Sequence, residues 1–375
     1  MIIGVVKEIK THEYRVGLTP ASVKELINCG HQVFVEHNAG AEIGFNDETY
    51  VLAGATITDK KAVFDNAKVI IKVKEPLLSE VELFHENQIL FTYLHLAANP
   101  ALTNALLAKK CTCIAYETVT DQNGGLPLLQ PMSAVAGRLS VQAGATALEK
   151  VNQGAGLLLG GVPGVQAANV VIIGGGIVGN NAAQMAIGLG AKVTIIDKSP
   201  QILKNLAIQF GNQVQTIYAT SDAISEFVKQ ADLLIGSVLI PGAAAPKVVS
   251  ESDIKTMKKG AAVVDVAIDQ GGCFETSAPT THDKPTFIKH NVVHYCVTNM
   301  PGAVPKTSTA ALNNATLPYI LALCAADDLC DVLAKDNVIN QGLRSGLNLY
   351  QGAVTHEPVA ISLNKSYLPL ASLMS

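Results

Sequence analysis

Long apolar runs and an excess of positive charge are both missing from this sequence. The most apolar stretch, residues 154–171, is interrupted by several glycines and by Pro163, so nothing approaches the ~18 apolar residues of a membrane helix. Lysine and arginine number 27 against 31 acidic residues, which gives a net charge of −4. This balance does not favour nucleic acid or an anionic membrane surface as a partner.

The sequence also has no set of closely spaced metal ligands. Its seven cysteines are scattered, and Cys111 and Cys113 form one close pair with no second pair at zinc-site spacing. We therefore predict no metal site and interpret the pair as alternate positions on a buried strand. The first residues enter a strand-like run without the basic and apolar regions of a signal peptide. Free thiols in a reducing cytoplasm are the expected state.

Apolar residues are abundant, at 49% of 375 residues, and charged residues make up 15%. This composition supports large buried cores, and the length suggests two or three domains. Short apolar runs alternate with helical patterns in two blocks, which predicts parallel sheets covered by helices. The predicted strands are 2–6, 32–36, 68–73, 88–94 and 113–116 in the first block, and 170–173, 192–196, 233–236, 262–267 and 292–297 in the second.

Two other segments complete the predicted organisation. Residues 133–151 contain no proline and little charge, which predicts a mostly buried helix that connects two domains. Residues 306–375 are helical in pattern and are expected to return to the first domain. The predicted domains are thus 1–130, completed by 306–375, and 131–305.

A glycine-rich turn follows the predicted strand 170–173. Gly174 would permit a tight turn, Gly176 would let the backbone approach a pyrophosphate, and Gly179 would let the helix pack closely on the strand. A helical pattern follows over residues 180–189, and the backbone amides at the start of such a helix favour phosphate. Ile177 and Val178, within the turn before it, are therefore also predicted cofactor contacts. Three glycines alone are weak evidence, and a turn without a nucleotide is the alternative. The setting between strand and helix favours a dinucleotide.

The next predicted strand is followed by Asp197, 23 residues after Gly174. A carboxylate at this position can accept hydrogen bonds from both hydroxyls of the adenosine ribose. It would also repel a 2′-phosphate, so the sequence predicts NAD rather than NADP.

Four polar residues follow predicted strands, at the edge where open parallel sheets bind ligands. Arg15, Lys74 and His95 belong to the first block, and Asp269 belongs to the second. Each could instead be a solvated charge, a structural histidine or a turn residue. If the two edges face each other, they form an interdomain cleft.

These four residue types suit a substrate that has a carboxylate and that gains or loses protons at another group during the reaction. The planar fork of arginine matches a carboxylate, and lysine can bind a carboxylate or polarise a carbonyl. Histidine can exchange a proton with an amine or carbinolamine near neutral pH. Aspartate can orient ammonia or water and stabilise a developing cation.

Seven motifs occur across the chain: EYRV at 13–16, TP at 19–20, KVKEP at 72–76, YLHLA at 93–97, PMS at 131–133, DVAIDQGG at 265–272 and NMP at 299–301. Together they resemble the motifs of the alanine dehydrogenase family, which includes transhydrogenase alpha subunits. The resemblance implies two Rossmann-like domains with an interdomain cleft, and usually a homohexamer. It also implies reversible oxidative deamination of L-alanine to pyruvate and ammonium with NAD.

The resemblance assigns roles residue by residue. Arg15 and Lys74 would bind the substrate, and His95 and Asp269 would be catalytic. Beyond the glycine turn, NAD would contact Ser133, Asp197, Val238, Leu239, Val266, Ala267, Ile268, Asp269, Val297, Thr298, Asn299 and Met300. Two departures from the family pattern concern NAD affinity. Ala219-Thr220 replaces a frequent Ser-Ser at an adenosine contact, and Ile202 replaces a frequent basic residue.

Three other functions are compatible with this sequence. One is the soluble NAD(H)-binding domain of a proton-translocating transhydrogenase, although the His95 and Asp269 motifs are intact. A second is a dehydrogenase for a larger amino acid, such as a saccharopine-forming enzyme. A third is an NAD-binding regulator without catalysis, which the four polar residues argue against.

Overall fold

A computed structural model describes residues 1–238, 245–326 and 328–372. Leu239, one of the predicted cofactor contacts, lies outside the described residues. The chain divides into two compact units. The first contains Met1–Met132 and the segment from Val304 onwards, and the second contains Ser133–Ala303.

The described residues form strands in both units. In chain order these are β1 (Ile2–Val5), β2 (Gln32–Glu36), β3 (Thr56–Thr58), β4 (Val69–Ile71), β5 (Ile89–Thr92), β6 (Thr112–Ala115), β7 (Asn169–Ile173), β8 (Lys192–Asp197), β9 (Val214–Tyr218), β10 (Leu233–Gly236), β11 (Ala262–Asp265), β12 (Thr286–Lys289), β13 (Val292–Tyr295), β14 (Leu347–Tyr350) and β15 (Ala353–Val354).

The α-helices of the described residues alternate with these strands over most of the chain. They are α1 (Pro20–Asn28), α2 (Asp47–Leu52), α3 (Lys60–Asn66), α4 (Leu78–Val81), α5 (Pro100–Ala108), α6 (Gln130–Ala147), α7 (Ile177–Gly188), α8 (Pro200–Phe210), α9 (Ser221–Gln230), α10 (Glu251–Thr256), α11 (Pro305–Leu323), α12 (Leu329–Ala334), α13 (Val338–Gly346) and α14 (Glu357–Ser362). None of the helices in the described part of the chain has the length and apolar character to cross a membrane.

The sheet of the first unit has the order β15-β14-β6-β5-β4-β1-β2-β3. Its strands are parallel from β6 to β3, whereas β14 pairs antiparallel with β6, and β15 with β14. The tail was expected to be helical in pattern, but it supplies these two strands. Leu347 and Leu349 are fully buried on β14, and four residues after an amphipathic helix are too few to show a separate strand pattern.

The sheet of the second unit has the order β12-β13-β11-β10-β7-β8-β9, and β12 is its one antiparallel strand among the described residues. The chain winds outward from β7 to β9 and then returns to β10 on the other side of β7. This reversal creates a switch point at the carboxyl end of β7, where doubly wound sheets bind ligands. Two mostly parallel sheets with flanking helices confirm the predicted α/β fold class.

Local sequence signals explain several helix starts. The Thr19 side chain accepts a hydrogen bond from the Ser22 amide at 3.2 Å, and Pro20 occupies the first helical position of α1. Asn99 and Pro100 start α5 in the same way. These caps fix where α1 and α5 begin.

Candidate functional site

The three glycines between β7 and α7 occupy three different environments. Gly174 has a φ of 102°, and a Cβ there would lie 2.8 Å from the Ser237 carbonyl oxygen. A Cβ on Gly179 would lie 1.9 Å from the carbonyl oxygen of Gly174, so α7 packs on the turn at a distance that only glycine allows. A Cβ on Gly176 would meet no protein atom within 4 Å. The backbone at Gly176 is therefore open to a ligand.

Hydrogen bonds hold this turn in place. The Ser237 hydroxyl donates to the carbonyl oxygens of Ile173 at 2.9 Å and Gly174 at 2.8 Å. The Asp197 carboxylate at the end of β8 accepts from the amide of Gly175 at 2.7 Å and from the amide of Ser199 at 2.7 Å. The carboxylate predicted to meet the ribose is thus bonded directly to the glycine turn.

These residues fit a dinucleotide. Helix α7 begins at Ile177, three residues earlier than the helical pattern predicted, and no side chain caps its first amides. Unpaired amides at a helix start attract phosphate, and the open face of Gly176 leaves room for it. Asp197 is half-buried, and each carboxylate oxygen has a second lone pair to accept from a ribose hydroxyl.

The two departures from the family pattern have structural roles here. Ile202 packs against the turn, since its Cγ2 would lie 2.8 Å from a Cβ on Gly175. The Thr220 hydroxyl oxygen accepts from the Ala223 amide at 3.1 Å and so caps α9.

The remaining predicted NAD contacts of the second unit lie on α6 and on segments that follow strands. Ser133 is in the first turn of α6, and Val238 follows β10. After β11, Val266 is half-buried while Ala267 and Ile268 are buried. After β13, the chain buries Val297 and Met300 and leaves Thr298 and Asn299 half-buried.

Asp269 lies in a short 3-10 turn, Ile268–Gln270, that follows β11. Its side chain is exposed, and its Oδ2 accepts from the Asn299 amide at 3.5 Å. Asn299 itself has a left-handed backbone, with φ at 61°. The structure therefore brings together the two segments that follow β11 and β13.

Arg15 is almost completely buried in the first unit. Its Nε and Nη2 donate to the two carboxylate oxygens of Glu13 at 2.7 and 2.6 Å, and its Nη1 contacts Met132 Sδ at 3.1 Å. Burial opposes the positive charge, but the hydrogen bonds and charge of Glu13 prevail and raise the pKa of the guanidinium. Arg15 is consequently a permanent, oriented charge.

Lys74 follows β4 in a bend whose backbone is held by Glu8. One Glu8 oxygen accepts from the amides of Val73 at 2.7 Å and Lys74 at 3.1 Å, and the other accepts from Lys72 Nζ at 3.1 Å. Lys72 is fully buried and also contacts Glu80 at 3.2 Å. The bend that carries Lys74 is thus fastened to a buried network of charges.

His95 is half exposed and has a left-handed backbone, with φ at 50°. The Glu117 carboxylate accepts from its amide at 2.6 Å and lies 3.8 Å from its Nδ1. The imidazole is parallel to the Tyr93 ring, with centroids 6.3 Å apart. A left-handed non-glycine residue costs energy, and the Glu117 contact stabilises it.

Shared neighbours connect the three predicted residues of the first unit. Glu8 and Tyr93 both interact electrostatically with Arg15, while Glu8 binds the Lys74 backbone and Tyr93 contacts His95. Sequence reasoning missed Glu8 and Glu117, although each follows a parallel strand. The same strand-end rule could have found them.

The comparisons with known proteins follow the same division of the chain. Residues 4–136 match the model described as "Alanine dehydrogenase/PNT, N-terminal domain", and residues 140–357 match the corresponding C-terminal domain model. An alanine dehydrogenase of Halomonas elongata is 53% identical over 375 residues and covers 100% of both chains. One from Methanococcus maripaludis is 56% identical over 372 residues and covers 98% of both chains.

Solved structures agree with these matches. A structure of "L-alanine dehydrogenase" is 49% identical, has a TM-score of 0.93, and the match covers 97% of this chain and 99% of that one. A transhydrogenase from Sinorhizobium meliloti is 23% identical, with a TM-score of 0.83 over 95% of this chain and 100% of the other, and so shares the fold. This chain therefore belongs to the alanine dehydrogenase/PNT family.

Proposed function

We propose that this protein is an NAD-dependent L-alanine dehydrogenase that interconverts L-alanine with pyruvate and ammonium. The observation that carries this proposal is identity of 53–56% to curated alanine dehydrogenases over 98–100% of the chain. The likeness to a transhydrogenase is one of fold, at 23% identity. The alanine dehydrogenase function is therefore the better supported of the two.

We propose that the second unit, predicted as domain 131–305, holds NAD. The turn at Gly174, Gly176 and Gly179 would receive the pyrophosphate at the start of α7, and Asp197 would receive the ribose hydroxyls. The other contacts we propose are Ser133, Ile177, Val178, Val238, Leu239, Val266, Ala267, Ile268, Asp269, Val297, Thr298, Asn299 and Met300. When bound, NAD supplies an acceptor for the hydride that leaves C2 of alanine.

The first unit, predicted as residues 1–130 with 306–375, would bind the substrate. Arg15 presents a guanidinium whose plane is set by Glu13, which suits a substrate carboxylate. Lys74 would contact the carboxylate or the carbonyl oxygen formed at C2, from a bend held by Glu8. The Arg15 guanidinium and the backbone of Lys74 are held before the substrate arrives, which lowers the entropic cost of orientation.

His95 and Asp269 would manage the protons. The Glu117 carboxylate near Nδ1 favours a proton on that nitrogen, so Nε2 of His95 can accept a proton from the ammonium of alanine or from an attacking water. The carboxylate of Asp269 would stabilise the cationic imine and orient the water that adds to C2. Loss of ammonia from the carbinolamine then gives pyruvate.

Purified protein tests the function directly. We expect reduction of NAD that depends on L-alanine, and the reverse reaction with pyruvate, ammonium and NADH. Saccharopine formation without alanine oxidation would identify a different dehydrogenase. Binding of NADH without turnover of any amino acid would support a binding module instead.

Two substitutions test the catalytic roles. His95→Ala and Asp269→Ala should each lower turnover by about 100-fold or more, because general acid-base groups contribute at least this much. The dissociation constant of NADH should stay within a few-fold of wild type in His95→Ala. Near-wild-type turnover in either variant would show that the substituted residue, His95 or Asp269, does not have the proposed catalytic role.

We also propose a cytoplasmic homohexamer. All seven cysteines are free thiols, which is the state expected in a reducing compartment. Sedimentation of the purified protein should give about six times the 39.3-kDa chain mass. A monomer at micromolar concentration would contradict the hexamer.

A further inference from the structure

Residues 266–274, which we name the Asp269 loop, connect the end of β11 to the segment before β12. Asp269 lies in the middle of this loop and is exposed, so close packing does not hold its side chain. Gly271 and Gly272 follow with φ values of 92° and 74°, which reverse the chain. The position of Asp269 therefore depends on how the loop backbone is held.

A buried carboxylate holds the loop from within. Asp265 Oδ1 accepts from the amide of Ala267 at 3.1 Å, near the start of the loop. Its Oδ2 accepts from the amides of Cys273 at 2.8 Å and Phe274 at 3.2 Å, and from the Ser277 hydroxyl at 2.6 Å. Asp265 is fully buried and joins the two ends of the loop through its backbone amides.

A lysine ammonium holds the same loop by its carbonyl groups. Lys247 Nζ donates to the carbonyl oxygens of Gly271 at 2.5 Å, Gly272 at 2.9 Å and Phe274 at 3.2 Å. An ammonium carries three donors, and here three carbonyls receive them. Lys247 is exposed as a whole residue, so its removal leaves no large cavity.

Backbone amides on both sides of Lys247 also donate to carbonyl groups of the Asp269 loop. The amide of Ala245 donates to the Gln270 carbonyl at 2.9 Å, and the amide of Val248 donates to the Cys273 carbonyl at 2.8 Å. These two backbone bonds hold carbonyl groups of the loop, whereas Asp265 accepts hydrogen bonds from amides of the loop. Lys247 supplies the contacts at the two glycines, where the backbone is intrinsically most flexible.

We infer that Lys247 is a positioning residue for Asp269, acting with Asp265 through the backbone of the Asp269 loop. This inference rests on the proposed function, because it assigns Asp269 the catalytic role stated above. Displacement of a catalytic group by about 1 Å can lower turnover by about 100-fold. Lys247 would thus influence the reaction through the geometry of the Asp269 loop.

Steady-state kinetics of Lys247→Met, Lys247→Arg and Lys255→Met test the inference. We expect Lys247→Met to lose at least about tenfold in kcat, with the KM for alanine within about twofold of wild type. Lys247→Arg, which keeps several N–H donors, should recover most of the loss. Lys255→Met removes another exposed lysine of the second unit and should match wild type. Wild-type kcat in Lys247→Met would overturn the inference.

A double-mutant cycle separates positioning from a general structural effect. If Lys247 acts through Asp269, then Lys247→Met should cause little further loss of kcat in an Asp269→Asn background. The same tenfold loss in both backgrounds would contradict the inference. If the Lys247→Met protein does not fold, Lys247→Gln takes its place in the cycle.

Hydrogen exchange gives a readout that does not depend on activity. The amides within 266–274 should exchange at least about tenfold faster in Lys247→Met than in wild type, while those of β11 stay unchanged. Equal exchange in both proteins would overturn the inference. Failure of wild-type protein to oxidise alanine would instead count against the proposed function, and exchange would still decide whether Lys247 holds the loop.

Discussion

The glycine turn of the second unit and the polar cluster of the first unit, which consists of Arg15, Lys74 and His95, are built by different means. At the turn, Gly174, Gly176 and Gly179 define the backbone geometry within six residues of chain, and Ser237 and Asp197 hold that backbone through hydrogen bonds. In the first unit, Glu117 holds His95 from 22 residues away, and Glu8 holds Lys74 from 66 residues away.

This difference explains what each region can tolerate. Backbone atoms form the proposed phosphate site, so a side-chain atom added there would change it directly. Side chains form the polar cluster, and the carboxylates of Glu8 and Glu117 hold the backbone amides of Lys74 and His95. We expect substitutions of the turn glycines to alter cofactor binding, and substitutions of the carboxylates Glu8 and Glu117 to alter turnover.

Gly179→Ala should have the largest effect. The new Cβ would lie 1.9 Å from the Gly174 carbonyl oxygen, so α7 must move away from β7. Overpacking of roughly 3 kcal/mol corresponds to about 100-fold weaker NADH binding, measured by fluorescence titration. Gly188→Ala, in the same helix with no atom within 4 Å, should bind NADH like wild type. Equal affinities in the two variants would show that close packing at Gly179 is unimportant.

Glu117→Ala should have the next largest effect, on turnover rather than binding. Without the carboxylate, the left-handed backbone of His95 loses a charge-assisted hydrogen bond worth roughly 1.5–3 kcal/mol. We expect kcat to fall by about 30-fold while NADH affinity stays near wild type. Glu117→Gln keeps an oxygen acceptor and should recover part of the loss. A parallel fall in NADH affinity would indicate that the two regions are not separate in function.

Gly176→Ala should have a smaller effect, on cofactor binding but not on stability. Its Cβ would meet no protein atom within 4 Å, and its φ of −68° suits alanine, so the melting temperature should stay unchanged. The same Cβ occupies space that the pyrophosphate needs, and we expect about tenfold weaker NADH binding. Unchanged affinity would place the phosphates elsewhere.

Asp197→Asn should have the smallest effect. The carboxylate accepts from the Gly175 amide and is proposed to accept from the ribose, and an amide keeps one acceptor oxygen. We expect roughly fivefold weaker NADH binding and a smaller preference for NADH over NADPH, because a negative charge repels the 2′-phosphate. Titrations with both nucleotides measure this, and an unchanged preference would contradict the role of Asp197.

Local patterns in the sequence predicted most strands of both sheets. Residues 32–36 and 233–236 were predicted with the bounds that the structure shows, because buried parallel strands are short apolar runs. Besides β14 and β15 of the tail, the strands β3, β9 and β12 were not predicted. They lie at or near the edges of the sheets, where partial exposure mixes polar residues into the strand.

The candidate functional side chains were predicted from strand ends, but not all of the groups that hold them were found. Glu8, Glu117 and Lys247 act through contacts between segments distant in sequence, and spacing along the chain does not reveal such contacts. The contact of Arg15 with Glu13, in contrast, is local, because the two residues lie two positions apart in the EYRV motif at 13–16. Sequence patterns therefore identified candidate groups better than their surroundings.

Steady-state amination of a panel of 2-oxo acids by wild-type protein, with NADH and ammonium, distinguishes an alanine dehydrogenase from the other candidate functions. Pyruvate should give the highest kcat/KM, and NADH oxidation should require both ammonium and the oxo acid. A larger oxo acid preferred over pyruvate, or no NADH oxidation with any of them, would contradict the assignment as an alanine dehydrogenase.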